Sequence, residues 1–152
     1  MIRVLCVDIE GGFGGSSRSL YQSISHLDRS QVDVKVICRL DGPIVSHYRE
    51  LGIDVQLMPM MPKVSALPRL SRNIWSHGLA GVNWIRGRQF RQAFLESAEV
   101  VDIVHFNHEA LWLLAIWLRK RYNKALVMHL RTNPWDSWFA RQQANCIAEI
   151  MD

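Results

Sequence analysis

Residues 3–20 read RVLCVDIEGGFGGSSRSL, an apolar run broken by two acids and followed at once by four glycines, two serines and an arginine. Ile2 to Val7 is β-branched and leucine-rich without polar alternation, which predicts a strand buried on both faces. Leu20, Ile24 and Leu27 then recur at three- and four-residue spacing, so a helix covers Ser17 to Leu27. Between them the glycines permit close approach of a ligand to the backbone, and the helix start offers free N–H groups to an anion. The stretch is therefore either a tight strand-to-helix turn or a cradle for a diphosphate or carboxylate. Two familiar cradles do not fit. A dinucleotide pattern G-x-G-x-x-G begun at Gly12 places Ser17 where its third glycine belongs, and no Gly-Lys-Ser/Thr follows. Arg39 stands where an acid would hold a ribose at the end of the second strand, which disfavours a nicotinamide enzyme.

The alternation continues downstream. Val32 to Cys38 is a second strand, and Asp41-Gly42-Pro43 leads into a helix marked by Ile44, Tyr48 and Leu51 and ended by Gly52. Ile53 to Met58 is a third strand, and Met60 to Pro68 reads as a loop. Helical spacing returns from Leu70 to Ser97, broken near Gly78 to Gly81 or at Gly87. Val101 to Phe106 is a fourth strand, Glu109 to Tyr122 a helix whose end charges match its macrodipole, Ala125 to Leu130 a fifth strand and Trp135 to Met151 a last helix. Continuously apolar strands alternating with helices define a doubly wound parallel α/β sheet, Rossmann-like, whose ligands bind at the carboxyl ends of the strands.

The 152 residues, 49% apolar and 21% charged, suit one domain with an ordinary core. Asp8 and Glu10 interrupt the first apolar run before a signal core forms, and the longest apolar run, Ala110 to Leu118, is far short of the roughly 20 residues of a membrane span. Cys6, Cys38 and Cys146 are distant from one another and fit neither a disulfide framework nor a zinc site, which points to a reducing cytoplasm. Within a net charge of +4, the interval between Asp54 and Glu96 carries no acid but holds Lys63, Arg69, Arg72, Arg86, Arg88 and Arg91, together with Trp75, Trp84 and Phe90. It is either a solvated basic helix face with its aromatics turned inward or a surface for an anionic lipid layer, an acidic glycan or nucleic acid. No recognised nucleic-acid module matches.

The first strand, Gly14-Gly15-Ser16-Ser17-Arg18 and the Leu20/Ile24/Leu27 helix resemble the opening of the family-4 retaining glycosyltransferases. Asp41-Gly42-Pro43, the run Leu51-Gly52-Ile53-Asp54-Val55, Val101-Asp102-Ile103-Val104-His105 and Val127-Met128-His129 resemble that family's later helix and strands. After the fourth strand the chain reads His105-Phe106-Asn107-His108, a departure from the family's His-any-His.

The resemblance implies the N-terminal, acceptor-side half of a two-domain GT-B enzyme over residues 1–152, without the C-terminal nucleotide-sugar domain. Such an enzyme moves a sugar from a nucleotide-sugar donor to a glycan or lipid-linked acceptor, commonly in cell-envelope or exopolysaccharide synthesis, and works in the cytoplasm or at the inner face of the membrane. On this resemblance Gly14, Gly15, Ser16 and Arg18 approach the donor diphosphate and acceptor, and His129 lines the reaction centre, where a neutral imidazole accepts a hydrogen bond from a sugar hydroxyl. His105, Asn107, His108, Arg131, Asn133 and Trp135 are candidates for the acceptor, Arg131 as a clamp for phosphate or carboxylate and Trp135 as a stacking surface. Asn133 or Asp136 alternatively caps the last helix. Arg86, Arg88 and Arg91 are candidates for an anionic membrane surface. His105 and His108 with Glu109 imitate a metal cluster, but they lie on a strand end and loop and a third ligand is not evident, so neither metal nor cofactor is expected. A competing reading is a non-catalytic, flavodoxin-like ligand-binding module.

Overall fold

The computed structural model describes residues 1–9, 11–61, 82, 84–85, 87–131 and 138–151. In chain order these form β1 (Ile2–Asp8), α1 (Gly15–Ser25), β2 (Val32–Cys38), α2 (Pro43–Glu50), β3 (Asp54–Leu57), α3 (Arg88–Glu99), β4 (Ile103–Phe106), a short 3-10 turn (Glu109–Leu111), α4 (Trp112–Arg119), β5 (Ala125–Met128) and α5 (Trp138–Ala148). The five strands make one sheet in the order β3-β2-β1-β4-β5, every pair parallel. This is the doubly wound, Rossmann-like sheet that the sequence predicts.

Parallel strands require crossovers, and here the crossovers cover both faces. Leu5 and Val7 of β1 enter one core with Phe90, Phe94 and Ala98 of α3 and Leu114, Ala115 and Leu118 of α4. Cys6, between them, enters the other core with Leu20 and Ile24 of α1 and Ile44, Val45 and Tyr48 of α2. The period-two alternation of a strand thus places neighbouring residues in different cores. Cys6 and Cys38 are buried thiols, each pushed up to about 12 by loss of solvent, so they behave as small hydrophobes.

Most element boundaries agree with the sequence to within a few residues, and the differences have physical causes. α1 starts at Gly15 rather than Ser17, because a first helical turn needs no side chain when its N–H groups have no intrahelical acceptor. Gly52 takes φ +73° just past α2, where its N–H bonds the Arg49 carbonyl at 2.8 Å and that of Ile53 bonds the Tyr48 carbonyl at 3.1 Å. The helix foreseen from Glu109 opens as a 3-10 turn and ends at Arg119, whose Nε donates to the Ile150 carbonyl at 2.7 Å and so ties α4 to the end of α5. Gly87 is where the helix foreseen over Leu70 to Ser97 breaks: it is the N-cap of α3. The rest of that foreseen helix, up to residue 81, and most of the loop foreseen from Met60 to Pro68 lie outside the described residues.

Strand order reverses at β1, where β2 lies on one side and β4 on the other. The crevice beyond the carboxyl ends of β1 and β4 is the place where sheets of this kind receive ligands. The segments that follow β1, β4 and β5 meet there.

Candidate functional site at the switch point of the sheet

Gly14 is the N-cap of α1, and among the described residues no side chain caps that helix. Gly15 and Ser16 form its first turn, and Arg18 N–H closes onto the Gly14 carbonyl at 2.9 Å. A Cβ added at Gly12, Gly14 or Gly15 meets nothing within 4 Å. Positive φ is found only at Gly52 among the described residues, so backbone strain does not call for glycine at positions 14 and 15. What these glycines leave is open space over uncapped N–H groups at the positive end of a helix dipole. Arg18 is exposed and stacks its guanidinium over Phe13, 5.0 Å from the ring centroid. Phe13 in turn lies 4.9 Å from the His47 ring and 6.4 Å from that of Tyr21.

Gly11 has a different task. A Cβ there would come within 2.3 Å of the Asp41 carbonyl oxygen, and one at Gly42 within 2.4 Å of the Gly11 carbonyl oxygen. The turns after β1 and β2 are packed backbone to backbone, and the Ile44 N–H donates to the Gly11 carbonyl at 3.2 Å.

Asp8 closes β1 and is fully buried. Its Oδ1 accepts from Ser17 Oγ at 3.0 Å and Asn107 Nδ2 at 3.3 Å, and its Oδ2 accepts from Tyr48 Oη at 3.1 Å. Burial raises its pKa, while bonds from Ser17, Asn107, Tyr48 and the Ile9 N–H oppose the shift by favouring the carboxylate. Asn107, foreseen at the acceptor, is buried, with its Oδ1 accepting from Arg131 Nη2 at 2.8 Å. Its amide is thereby spent on Asp8 and Arg131.

Arg131 is held from two sides. Its backbone N–H donates to Glu109 Oε2 at 2.8 Å, and its Nη2 lies 3.0 Å from His129 Nδ1. Arginine only donates, so His129 Nδ1 is the acceptor and the ring proton sits on Nε2. This reverses the polarity foreseen for His129: its remaining nitrogen donates a hydrogen bond instead of accepting one. Burial and the neighbouring Arg131 lower its pKa, so the ring is neutral.

Val104 and Phe106 face the core beneath α3 and α4, which turns His105 to the opposite face of β4. There its ring meets that of His129 edge to face, centroids 4.6 Å apart. Burial, then His129 and Arg131, push His105 down to about 4. His108 serves as N-cap of the 3-10 turn, its Nδ1 accepting from the Ala110 N–H at 3.1 Å and lying 3.3 Å from Glu109 Oε2. Among the described residues no three His, Cys, Asp or Glu side chains form a group able to hold a metal ion.

The structure therefore brings His105, Asn107, His108, His129 and Arg131 together and sets the start of α1 beside them through Ser17 and Asp8. Asn133 and Trp135 lie outside the described residues, as does Arg86. Arg88 is exposed on α3. Arg91 is half-buried, with its guanidinium 4.7 Å from the Trp84 ring and 6.0 Å from the Trp117 ring, and its Nη1 donates to the Trp84 carbonyl. Sequence reasoning missed Asp8 and Tyr48 as members of this site, and the bonds that Ser17 and Glu109 make in it. An acid closing an otherwise apolar buried strand was the available signal, because a buried carboxylate needs donors.

The chain belongs to the glycosyl transferase 4-like domain family, whose pattern it matches over residues 14–148. Among solved structures it is similar to HepE of Anabaena bound to UDP, with 20% identity and a TM-score of 0.62 over 99% of this chain and 36% of that one. The same protein bound to UDP and glucose gives 17% identity and a TM-score of 0.68, over 99% of this chain and 37% of that one. The apo form of WaaB, a lipopolysaccharide outer core galactosyltransferase, gives 18% identity and 0.56, over 97% and 37%. At these identities the likeness establishes the fold. The chain spans 36–37% of the length of these structures. No curated protein sequence matches it significantly.

Proposed function

We propose that the chain is the N-terminal, acceptor-side domain of a retaining GT-B glycosyltransferase. That enzyme moves a sugar from a nucleotide-sugar donor to a glycan or lipid-linked acceptor in cell-envelope or exopolysaccharide synthesis. The observation that carries the reading is the uncapped start of α1, sterically open at Gly14 and Gly15 and joined to the His129 cluster through Ser17, Asp8, Asn107 and Arg131. Charge develops on a diphosphate as it leaves, and preorganised N–H groups beside it lower the barrier. A neutral His129 supplies a further N–H donor for a substrate oxygen, and Arg131 a charged one. Family membership supports the reaction class, and the complexes of HepE with UDP and UDP-glucose favour a uridine diphosphate sugar as donor.

The donor site itself belongs to a second domain on this reading. Calorimetric titration of the 152-residue chain with UDP and GDP is then expected to show weak binding at best. Micromolar affinity for either nucleotide would overturn the division of labour between the domains.

The basic surface is the peripheral part of the proposal. Arg88 is exposed near Ile85, which is 74% exposed, and Trp84 stacks edge-on with Trp117 at 6.2 Å. Basic and aromatic side chains mixed in this way suit an anionic bilayer surface, where each engaged charge contributes about 1 kcal/mol. Co-sedimentation with anionic and neutral vesicles at low and high salt tests it, using Arg86→Gln with Arg88→Gln. Arg91 is left intact because it packs against both tryptophans. A preference for anionic vesicles that fades with salt and with the two substitutions is expected. Equal binding to both vesicle types contradicts it.

A further inference from the structure

We propose that Asp8 is a positioning residue that fixes the tautomer of His129 through Asn107 and Arg131. The donations spread from Arg131 both ways, through the Asn107 amide to Asp8 on one side and directly to His129 Nδ1 on the other. Both Asp8 oxygens accept, Oδ1 from Ser17 Oγ and Oδ2 from Tyr48 Oη, so Asn107 turns its NH2 toward Oδ1, where Nδ2 stands 3.3 Å away. That orientation leaves Asn107 Oδ1 facing Arg131, which donates from Nη2 at 2.8 Å. The same nitrogen lies 3.0 Å from His129 Nδ1 and can only donate to it, so the imidazole proton is confined to Nε2. A buried carboxylate at the end of β1 thus holds, through the Asn107 amide, the guanidinium whose donation keeps the proton of a histidine after β5 on Nε2.

Two arms keep the relay in place. Ser17 Oγ and Tyr48 Oη hold Asp8 from α1 and α2, at 3.0 and 3.1 Å. Glu109 holds the Arg131 backbone at 2.8 Å, and Arg131 Nε reaches the Asn107 carbonyl at 3.4 Å. Among the described residues the groups facing His129 are Arg131 and the His105 ring, with Glu109 beyond Arg131. Burial and the Arg131 cation both oppose a second proton on His129. The fixed donor serves the proposed transfer reaction by presenting an N–H, never a lone pair, to an oxygen of the substrate. This use rests on the functional reading above, whereas the relay rests on geometry alone.

Imidazole nitrogen shifts of the full chain, labelled with 15N-histidine and free of substrate, read the tautomer directly. The wild type is expected to show His129 with an unprotonated Nδ1 and a protonated Nε2. Asp8→Asn allows the Asn107 amide to reverse, and Asn107→Leu cuts the relay without touching either end. Each should release a measurable population protonated on Nδ1. Arg131→Met, at an exposed position that leaves the Glu109 bond to the backbone, should do the same and also raise the His129 pKa. A wild-type His129 protonated on Nδ1 would overturn the proposal. So would a tautomer unchanged in folded Asp8→Asn and Asn107→Leu, or unchanged in Arg131→Met, a result that stands even if the two buried variants fail to fold. Because no turnover enters the measurement, an intact relay in a protein without transferase activity would sink the functional reading alone.

Discussion

Two helices of this domain start on a glycine directly after a buried strand, and their starts are built in opposite ways. α2 begins against the protein: Pro43 brings no N–H, Ile44 donates inward to the Gly11 carbonyl at 3.2 Å, and a Cβ at Gly42 would lie 2.4 Å from that same oxygen. α1 begins against open space, uncapped at Gly14 and with room for a side chain at Gly14 and Gly15. The first glycine is demanded by packing. The second pair is not demanded by packing among the described residues, and the proposed function gives it a ligand instead. Glycine content alone does not separate these cases, but the neighbours of the missing Cβ do.

The largest effect of a substitution is therefore expected at the closed turn. Gly42→Ala forces the backbones after β1 and β2 apart, an overpacking cost of about 3 kcal/mol or more. Urea denaturation should show a large drop in midpoint, and a variant as stable as the wild type would mean that the two turns are not in contact.

A comparable effect, this time dependent on pH, is expected beside β1. His105 is held neutral with its pKa pushed down to about 4, whereas the unfolded chain takes up that proton near 6.5. Its contribution to stability is present above pH 6.5 and is lost as pH falls through 4. The loss reaches about 3 kcal/mol for a shift of this size. His105→Leu should flatten the stability profile across that window. A slope unchanged in the variant would assign the acid sensitivity elsewhere.

The smallest effect belongs to the open turn. Gly15→Ala places a methyl group in empty space at the first turn of a helix, where alanine is favoured over glycine by up to about 1 kcal/mol. Thermal melting should show an unchanged or slightly raised midpoint. A fall as large as that of Gly42→Ala would erase the distinction between the two turns.

How much of this was readable beforehand depended on whether a feature is local. Val32–Cys38 agrees residue for residue, because a continuous apolar run between turn signals specifies a buried strand by itself. Gly52 announced the end of α2 because few other residues take its φ of +73°. The strand-end rule also placed His105, His129 and Arg131 at one edge of the sheet. It did not supply the partners. Asp8 and Tyr48 are 40 residues apart, and Tyr48 reads as one more apolar position on the face of α2, so its hydroxyl bond to Asp8 has no trace in local pattern. The polarity of His129 was hidden for the same reason: it follows from Arg131 Nη2 at 3.0 Å, a side-chain orientation that spacing does not encode. Arg91, grouped with Arg86 and Arg88 by charge alone, proved to be packed between two tryptophans.

The central claim is that the open start of α1 serves a ligand and not the fold, and Gly15→Val in the full-length enzyme tests it most directly. Valine fills the space above the first-turn N–H groups, where no other part of the described chain lies within 4 Å of the added Cβ. Sugar transfer from a nucleotide-sugar donor should fall at least about a hundredfold, the scale of losing one preorganised donor at a developing charge. The melting midpoint should stay close to that of the wild type. Wild-type turnover in a folded Gly15→Val enzyme would contradict the claim and remove the glycine loop from the mechanism.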